Sequence, residues 1–292
     1  MISANPPKYT DVVGIVPVVS EPTGFNLDWD DTLIPIAPNF YAVERAVLEC
    51  AYAGCTTIWI VANDDTTPLI RHRMGDYVQD PVYVGRMDTY PATTRKTISL
   101  YYAPIHLDHE NKKWCIAWSI LDGARTAYNI HSEISKWTAP RKFYVAFPFG
   151  VTYPDVVRQH RRTMAKTKED FLFSHEGKSV LTGDQVSFSF SLQQMHDAIA
   201  LFEDEEVYFG EDDKEYYRDT YSLDKVFSKV LKGQKEIIEL PWFYQIDSWD
   251  NYCKYMASEE RKELKHPGRL ILSYREYSPI GRDVEKVLDE DD

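Results

Sequence analysis

The chain is short of positive charge. It has 33 lysines and arginines against 46 aspartates and glutamates in 292 residues, a net charge of −13 at pH 7. A surface of that sign repels phosphate backbones and anionic headgroups, which excludes nucleic acid and membrane surfaces as default partners. Cysteine is scarce as well. Cys50, Cys55, Cys115 and Cys253 show no C-x-x-C spacing and are too few for a disulfide framework, so they read as buried, reduced thiols. Long apolar runs are missing: nothing approaches the roughly 20 apolar residues of a membrane helix. Met1 to Thr10 holds no apolar stretch long enough for a secretory signal. The expectation is a cytoplasmic protein, free or within an assembly such as a virion. Internal repeats, a recognisable linker and a G-x-S-x-G elbow are also absent, which leaves a solenoid or a serine hydrolase without a foothold.

What remains is ordinary for a globular α/β protein, with 43% apolar and 27% charged residues. The aromatic content stands out, at 14% with 20 tyrosines and 7 tryptophans. It suits a large core or a broad protein contact surface.

Asp11 to Val19 is a Val-rich run of the kind found in strands covered on both faces. Phe40, Val43, Val47 and Ala51 recur at helical spacing and stop at Gly54, a good cap position. Thr57 to Ala62 reads as a second buried strand, and Pro68 as the first turn of another helix. Further along, Ile98 to Ala103 reads as a strand, Ala117 to Trp137 as a helix and Phe143 to Phe149 as an apolar strand. Tyr153 to Lys168 reads as a polar-faced helix, and Val186 to Phe190 as a strand with one wetter face. Strands alternating with helices imply an α/β fold with a mixed, mostly parallel sheet flanked by helices. Residues 1–260 form the main unit in this reading, and 261–292 a carboxyl-terminal extension with an acidic tail.

Ligands of open α/β sheets bind beyond the carboxyl ends of the strands. Three loops stand there: Ser20-Glu21-Pro22-Thr23-Gly24, Asn63-Asp64-Asp65 and Gly150-Val151-Thr152. Several strings around them resemble the sugar-phosphate nucleotidyltransferases, whose sheet is Rossmann-like and of the glycosyltransferase-A, nucleotide-diphospho-sugar transferase type. These are Ile15-Val16-Pro17-Val18-Val19, Leu33-Ile34-Pro35-Ile36-Ala37, Ala42-Val43-Glu44-Arg45-Ala46-Val47, and Ala53-Gly54-Cys55 followed by Ile58-Trp59-Ile60-Val61. Leu121-Asp122-Gly123-Ala124-Arg125-Thr126-Ala127 is similar to a helix start in that family. Gln245-Ile246-Asp247-Ser248-Trp249-Asp250-Asn251-Tyr252 is similar to its closing acidic segment.

The resemblance implies an NTP over the first loop, attack by a sugar phosphate on the α-phosphorus, and release of pyrophosphate. It implies nucleotide contacts from Ser20, Glu21, Thr23, Gly24, Asn63, Gly123 and Ala124, and magnesium on Asp247. The sequence departs from the family in two places. Glu21 and Asp28-Trp29-Asp30-Asp31 stand where the family has an arginine and a lysine-proline pair, and Phe147-Pro148-Phe149-Gly150 replaces the aspartate that ends the central strand. A carboxylate about 4 Å from a triphosphate is repelled by about 1 kcal/mol per charge pair in water and by more in a buried site. This leaves three readings: an active nucleotidyltransferase; an inactive one serving as a structural or binding subunit, as a homo-oligomer or in a larger assembly; and a metal-dependent glycosyltransferase.

Asp28-Trp29-Asp30 forms the D-x-D triplet of that last class, though a solvated acidic loop accounts for it as well. Asn63-Asp64-Asp65 suits a helix cap. His106-Leu107-Asp108-His109-Glu110 offers metal-ligand types in a merely polar loop. Glu176-Gly177-Lys178-Ser179 reads as an exposed turn, because Leu172 stands where a phosphate-binding loop needs its first glycine. Arg71-His72-Arg73 and the basic residues Arg158 to Lys168 suit either phosphates or a solvated helix face. Asp247 is either a ligand or, with Ser248, the cap of a following helix.

Overall fold

In a computed structural model of the chain, the described residues are 11–18, 23–25, 27–85, 96–105, 115–134, 139–167, 169–203, 220–233, 235–268 and 271–272. The first half contains β1 (Val12–Pro17), β2 (Pro35–Ala37), β3 (Phe40–Tyr41), α1 (Ala42–Ala53), β4 (Thr57–Val61), α2 (Thr67–Met74), β5 (Tyr77–Gln79) and α3 (Pro81–Val84). β6 (Thr97–Ala103), α4 (Ile116–Ile134), β7 (Lys142–Val145), β8 (Gly150–Val151), α5 (Arg161–Lys166), β9 (Asp170–Ser174) and β10 (Phe188–Ser191) follow. The chain then forms α6 (Leu192–Glu203), α7 (Leu223–Val230), β11 (Lys235–Glu239), β12 (Tyr244–Gln245), α8 (Trp249–Met256) and α9 (Glu260–Glu263).

One eight-stranded sheet runs in the order β11-β9-β10-β7-β1-β4-β6-β5. β1 lies at its heart, parallel to β4 and β7, and β6 continues the parallel set. β10 runs antiparallel between β7 and β9, β11 is parallel to β9, and β5 closes the other edge antiparallel to β6. The expected mixed, mostly parallel α/β sheet is therefore present. β1 is buried along its whole length because its side chains feed two cores. Val12 and Val16 join the cluster under α1, and Val13 and Ile15 join the cluster under α4, α6 and α7. Leu264, Ile271 and Leu272 pack into the first of these clusters. No helix among the described residues is long and apolar enough to cross a membrane.

The structure corrects several expectations. The strand expected over Phe143 to Phe149 ends at Val145, because Pro148 has no amide to donate and the Phe147 carbonyl turns to Arg45 instead of the ladder. Phe147 and Phe149 stay buried as loop residues. The helix expected over Tyr153 to Lys168 is a 3-10 turn, Val156–Gln159, followed by the short α5. Arg161 at the junction is drawn to the buried Asp80, with one of the two bonds at 2.8 Å. Nor does β10 have a wet face. Ser187 and Ser189 are buried, and the Ser189 hydroxyl accepts the Phe171 amide at 2.8 Å, where the β9–β10 ladder is short. Cys50, Cys55 and Cys115 are buried thiols as expected, but Cys253 is exposed on α8.

Two glycines are fixed by close approach. A Cβ on Gly123 would lie 2.4 Å from Val61 Cγ2, so α4 sits on β4 closer than any side chain allows. A Cβ on Gly150 would lie 1.9 Å from the Gln185 carbonyl oxygen, a backbone atom that cannot swing aside. On the opposite edge, buried Lys142 donates to the carbonyls of Met164, Thr167 and Glu169 at 3.3, 2.9 and 2.6 Å, and burial pulls its pKa down. Gly150→Ala is expected to cost about 3 kcal/mol of unfolding free energy, the upper range for overpacking. A urea midpoint unchanged from wild type would contradict it.

Candidate functional site

The carboxyl ends of β1, β4, β6 and β7 open on one edge of the sheet, and the chain returns to that edge after β11. The segments join there through backbone bonds. The Ile246 amide donates to the Phe149 carbonyl at 2.8 Å, β12 pairs with β8, and the Gly24 amide donates to the Asp247 carbonyl at 3.2 Å. Two segments singled out in sequence, Thr23-Gly24 and Asp247, are thus side by side. Ser20 and Glu21 lie outside the described residues, as do His106 to Glu110.

The other sequence candidates lie elsewhere or serve the fold. Asn63 offers its backbone carbonyl, which accepts the Thr66 and Thr67 amides at 3.1 and 2.9 Å and the Thr67 hydroxyl at 2.8 Å. Gly123 and Ala124 are buried mid-way along α4, so Leu121 to Ala127 does not start a helix and neither residue presents surface to a ligand. Glu176-Gly177-Lys178 is the exposed turn expected, while Ser179 is buried and caps the 3-10 turn that follows. Glu176 and Gly177 have φ of 49° and 83°, and His175 bridges Lys178. Within the D-x-D triplet, Asp28 is exposed, whereas Asp30 caps its own 3-10 turn by accepting the Thr32 amide at 2.9 Å. Arg71 is paired with Asp76 at 2.8 Å and Arg73 with Glu44 at 2.6 Å, leaving both less free for phosphates.

Ser248 settles the weighing at the closing segment. Its hydroxyl accepts the Asn251 amide at 3.4 Å as the cap of α8. The Asp247 carboxylate is left to two side-chain amides, Gln245 Nε2 at 2.7 Å and Asn251 Nδ2 at 2.9 Å. Magnesium is the metal the resemblance implies, and the described residues do not make a resident site for it. Asp247 contributes one carboxylate whose two oxygens already accept hydrogen bonds. The end of β7 offers Phe147, Pro148 and Phe149 in place of a second, and no group of three or more His, Cys, Asp or Glu gathers among the described residues.

Aromatic rings and a buried charge pair are the features that sequence reading missed. Phe25 is 3% exposed and meets Phe149, Trp249 and Tyr252 at centroid distances of 6.4, 5.0 and 5.9 Å, forming an apolar floor beneath Gly24. Behind this floor Arg45 is fully buried on α1. It pairs with Glu49, which also accepts the Tyr144 hydroxyl at 2.7 Å, and donates to the Phe147 carbonyl. Burial, with Glu49 alongside, pushes the Tyr144 phenol up. A signal for this network was present in the sequence, as Glu44, Arg45 and Glu49 set within a largely apolar helical run from Ala42 to Ala53.

No protein-family model matches the chain, and no curated protein matches it by sequence. Solved structures do resemble it. A protein assigned as a glucose-1-phosphate thymidylyltransferase from Bacillus anthracis, crystallised with sucrose, matches at TM-score 0.58 and 10% identity over 89% of this chain and 98% of its own. The chain shares the fold of that protein. A UTP-bound UGPase from Acinetobacter baumannii matches at TM-score 0.54 and 10% identity, over 96% of this chain and 99% of its own. A UDP-glucose pyrophosphorylase complexed with UDP-glucose matches at 0.52 and 12%, over 84% and 97%. At these identities the likeness is one of fold.

Two measurements test the site's scaffold. Arg45→Met leaves Glu49 buried and uncompensated, with an expected loss of about 3–5 kcal/mol. Adding Glu49→Gln should restore part of it, and chemical denaturation reads both. Asp30 tests pH dependence. Burial raises its pKa from 3.8, against hydrogen bonds from Thr32 and Thr66. The folded state therefore holds that proton more tightly than the unfolded chain, and stability falls as pH rises through the interval between the two values. Asp30→Asn keeps the acceptor and removes the charge. Its melting temperature should gain on wild type as pH rises above about 4 and converge with it below that point; parallel curves would refute the assignment.

Proposed function

We propose that the chain is a nucleotidyltransferase-like protein acting on an NTP and a sugar phosphate. The nucleotide lies along Thr23-Gly24. A sugar phosphate oxygen attacks the α-phosphorus, the bond from that phosphorus to the bridging oxygen breaks, and pyrophosphate leaves. The supporting observation is the hydrogen bond from the Gly24 amide to the Asp247 carbonyl, 3.2 Å long, at the sheet edge where ligands of α/β folds bind. The ligands named for the similar structures, UTP and UDP-glucose, are of the same class. A cytoplasmic setting, and the division into residues 1–260 and an extension over 261–292, belong to this reading.

A second reading keeps the scaffold and drops catalysis, leaving a structural or binding subunit in an oligomer or an assembly such as a virion. The apolar floor of Phe25, Phe149 and Tyr252, where polyphosphate chemistry calls for charge, favours it. A metal-dependent glycosyltransferase has less support, because Asp30 is committed to its cap.

The full chain is to be incubated with each of the four NTPs, magnesium and a panel of sugar 1-phosphates while pyrophosphate is measured. Release with one nucleotide and sugar pair is expected. Asp247→Asn is expected to lower that rate while moving the melting temperature by no more than about 3 °C. No release, and no thermal shift from any NTP, would leave the second reading, for which light scattering should then show a stable oligomer.

A further inference from the structure

Trp249 differs from the exposed isoleucines. Ile134 and Ile237 are 76% and 62% exposed at a helix end and on an edge strand. Trp249 is 46% exposed, yet its ring is held from several directions. Its indole N–H donates to the Phe25 carbonyl at 3.2 Å. It meets the Phe25 ring edge-on at 5.0 Å and 89°, and the Tyr252 ring at 6.0 Å and 71°. Phe25 is itself wedged against Phe149 and Tyr252. The one polar atom of the indole is therefore satisfied within the protein, and what is left to solvent is apolar ring.

A large ring that is both fixed and half exposed loses little conformational entropy when something stacks on it. Its position gives the surface a meaning. Trp249 follows Ser248, whose Cβ lies 3.8 Å from where a Gly24 Cβ would stand, and Asp247, whose carbonyl accepts the Gly24 amide. The indole thus stands over Phe25, beside the loop assigned to the nucleotide.

We propose that Trp249 is a stacking platform for the base of a nucleotide whose phosphates lie along Gly24, an inference that rests on the nucleotide reading of this sheet edge. Stacking engages the π-face that every base shares, so Trp249 contributes affinity without choosing among bases. Base choice falls to other groups.

The test uses the full chain and its Trp249→Ala and Trp249→Phe variants, titrated calorimetrically with ATP, GTP, CTP, UTP and, as a probe without a base, tripolyphosphate. Wild type should bind at least one NTP. Trp249→Ala should weaken that binding by about 5- to 100-fold. Trp249→Phe should retain it within about fivefold, because a ring remains. Tripolyphosphate should bind all three proteins equally. Indole fluorescence should fall when the NTP is added to wild type and stay constant in Trp249→Phe, a readout that serves even if Trp249→Ala does not fold. Equal NTP affinity in wild type and a folded Trp249→Ala, or an unchanged fluorescence response in Trp249→Phe, overturns the stacking role and leaves the nucleotide cleft standing. No NTP binding by wild type overturns both. Binding of free glucose that depends on Trp249, with no such dependence for NTPs, overturns the assignment to a base.

Discussion

The buried pairing of Arg45 with Glu49 is the constraint on which the candidate site depends. A guanidinium removed from water is tolerated only when its charge is matched and its donors are used. Glu49 supplies the charge, and the Phe147 carbonyl takes a second donor at the point where the central strand stops. From there hydrogen bonds run outward through Phe149, Ile246, Asp247 and Gly24, one backbone group to the next. The helix behind the sheet thus holds the Phe147 carbonyl, from which these segments follow. A carbonyl turned toward Arg45 cannot extend the β-ladder, so the ion pair also fixes the length of β7.

The cleft so framed is aromatic where nucleotidyl transfer calls for charge. In chemistry at phosphorus, preorganised cations offset the charge that gathers in the transition state. Here several arginines near the sheet are spent on internal carboxylates: Arg45 on Glu49, Arg73 on Glu44, Arg161 on Asp80. The floor is Phe25, Phe149 and Tyr252, and Asp247 is held by amides. A surface of this kind grips flat rings better than polyphosphates. That balance keeps both functional readings in play and gives the Trp249 platform its interest.

Much of the fold was legible in the sequence because period and composition agreed. The Val-rich β1, the Thr57–Val61 strand, α1 with its stop at Gly54 and the proline-led α2 all follow local rules that tertiary packing did not override. Strands β9 and β11 were not legible. Asp170–Ser174 is short and lies between β10 and β11, and Lys235–Glu239 holds only two isoleucines between charges and becomes a strand through its pairing with β9. At the site, Asp247 and the Gly24 loop were found by their likeness to a family, and their juxtaposition is real. Gly123 was picked out by likeness to a helix start in that family, whereas here it lies mid-way along α4 and lets the helix close on Val61. The Arg45 network and the Phe25 floor escaped because charge on a helix reads as solvent-facing, and a lone Phe in a polar loop has no period to betray its burial.

The bond from the Trp249 indole to Phe25 joins residues 224 apart in the chain, and the Tyr255 hydroxyl bonded to the Ile36 carbonyl spans 219. Contacts of such high sequence separation carry the greatest loop-closure entropy and lag behind local ones. During synthesis, β1, α1 and β4 leave the ribosome long before α8 does. The aromatic cluster around Phe25 is therefore completed late, and until α8 arrives the Phe25 ring has no cover from Trp249 or Tyr252.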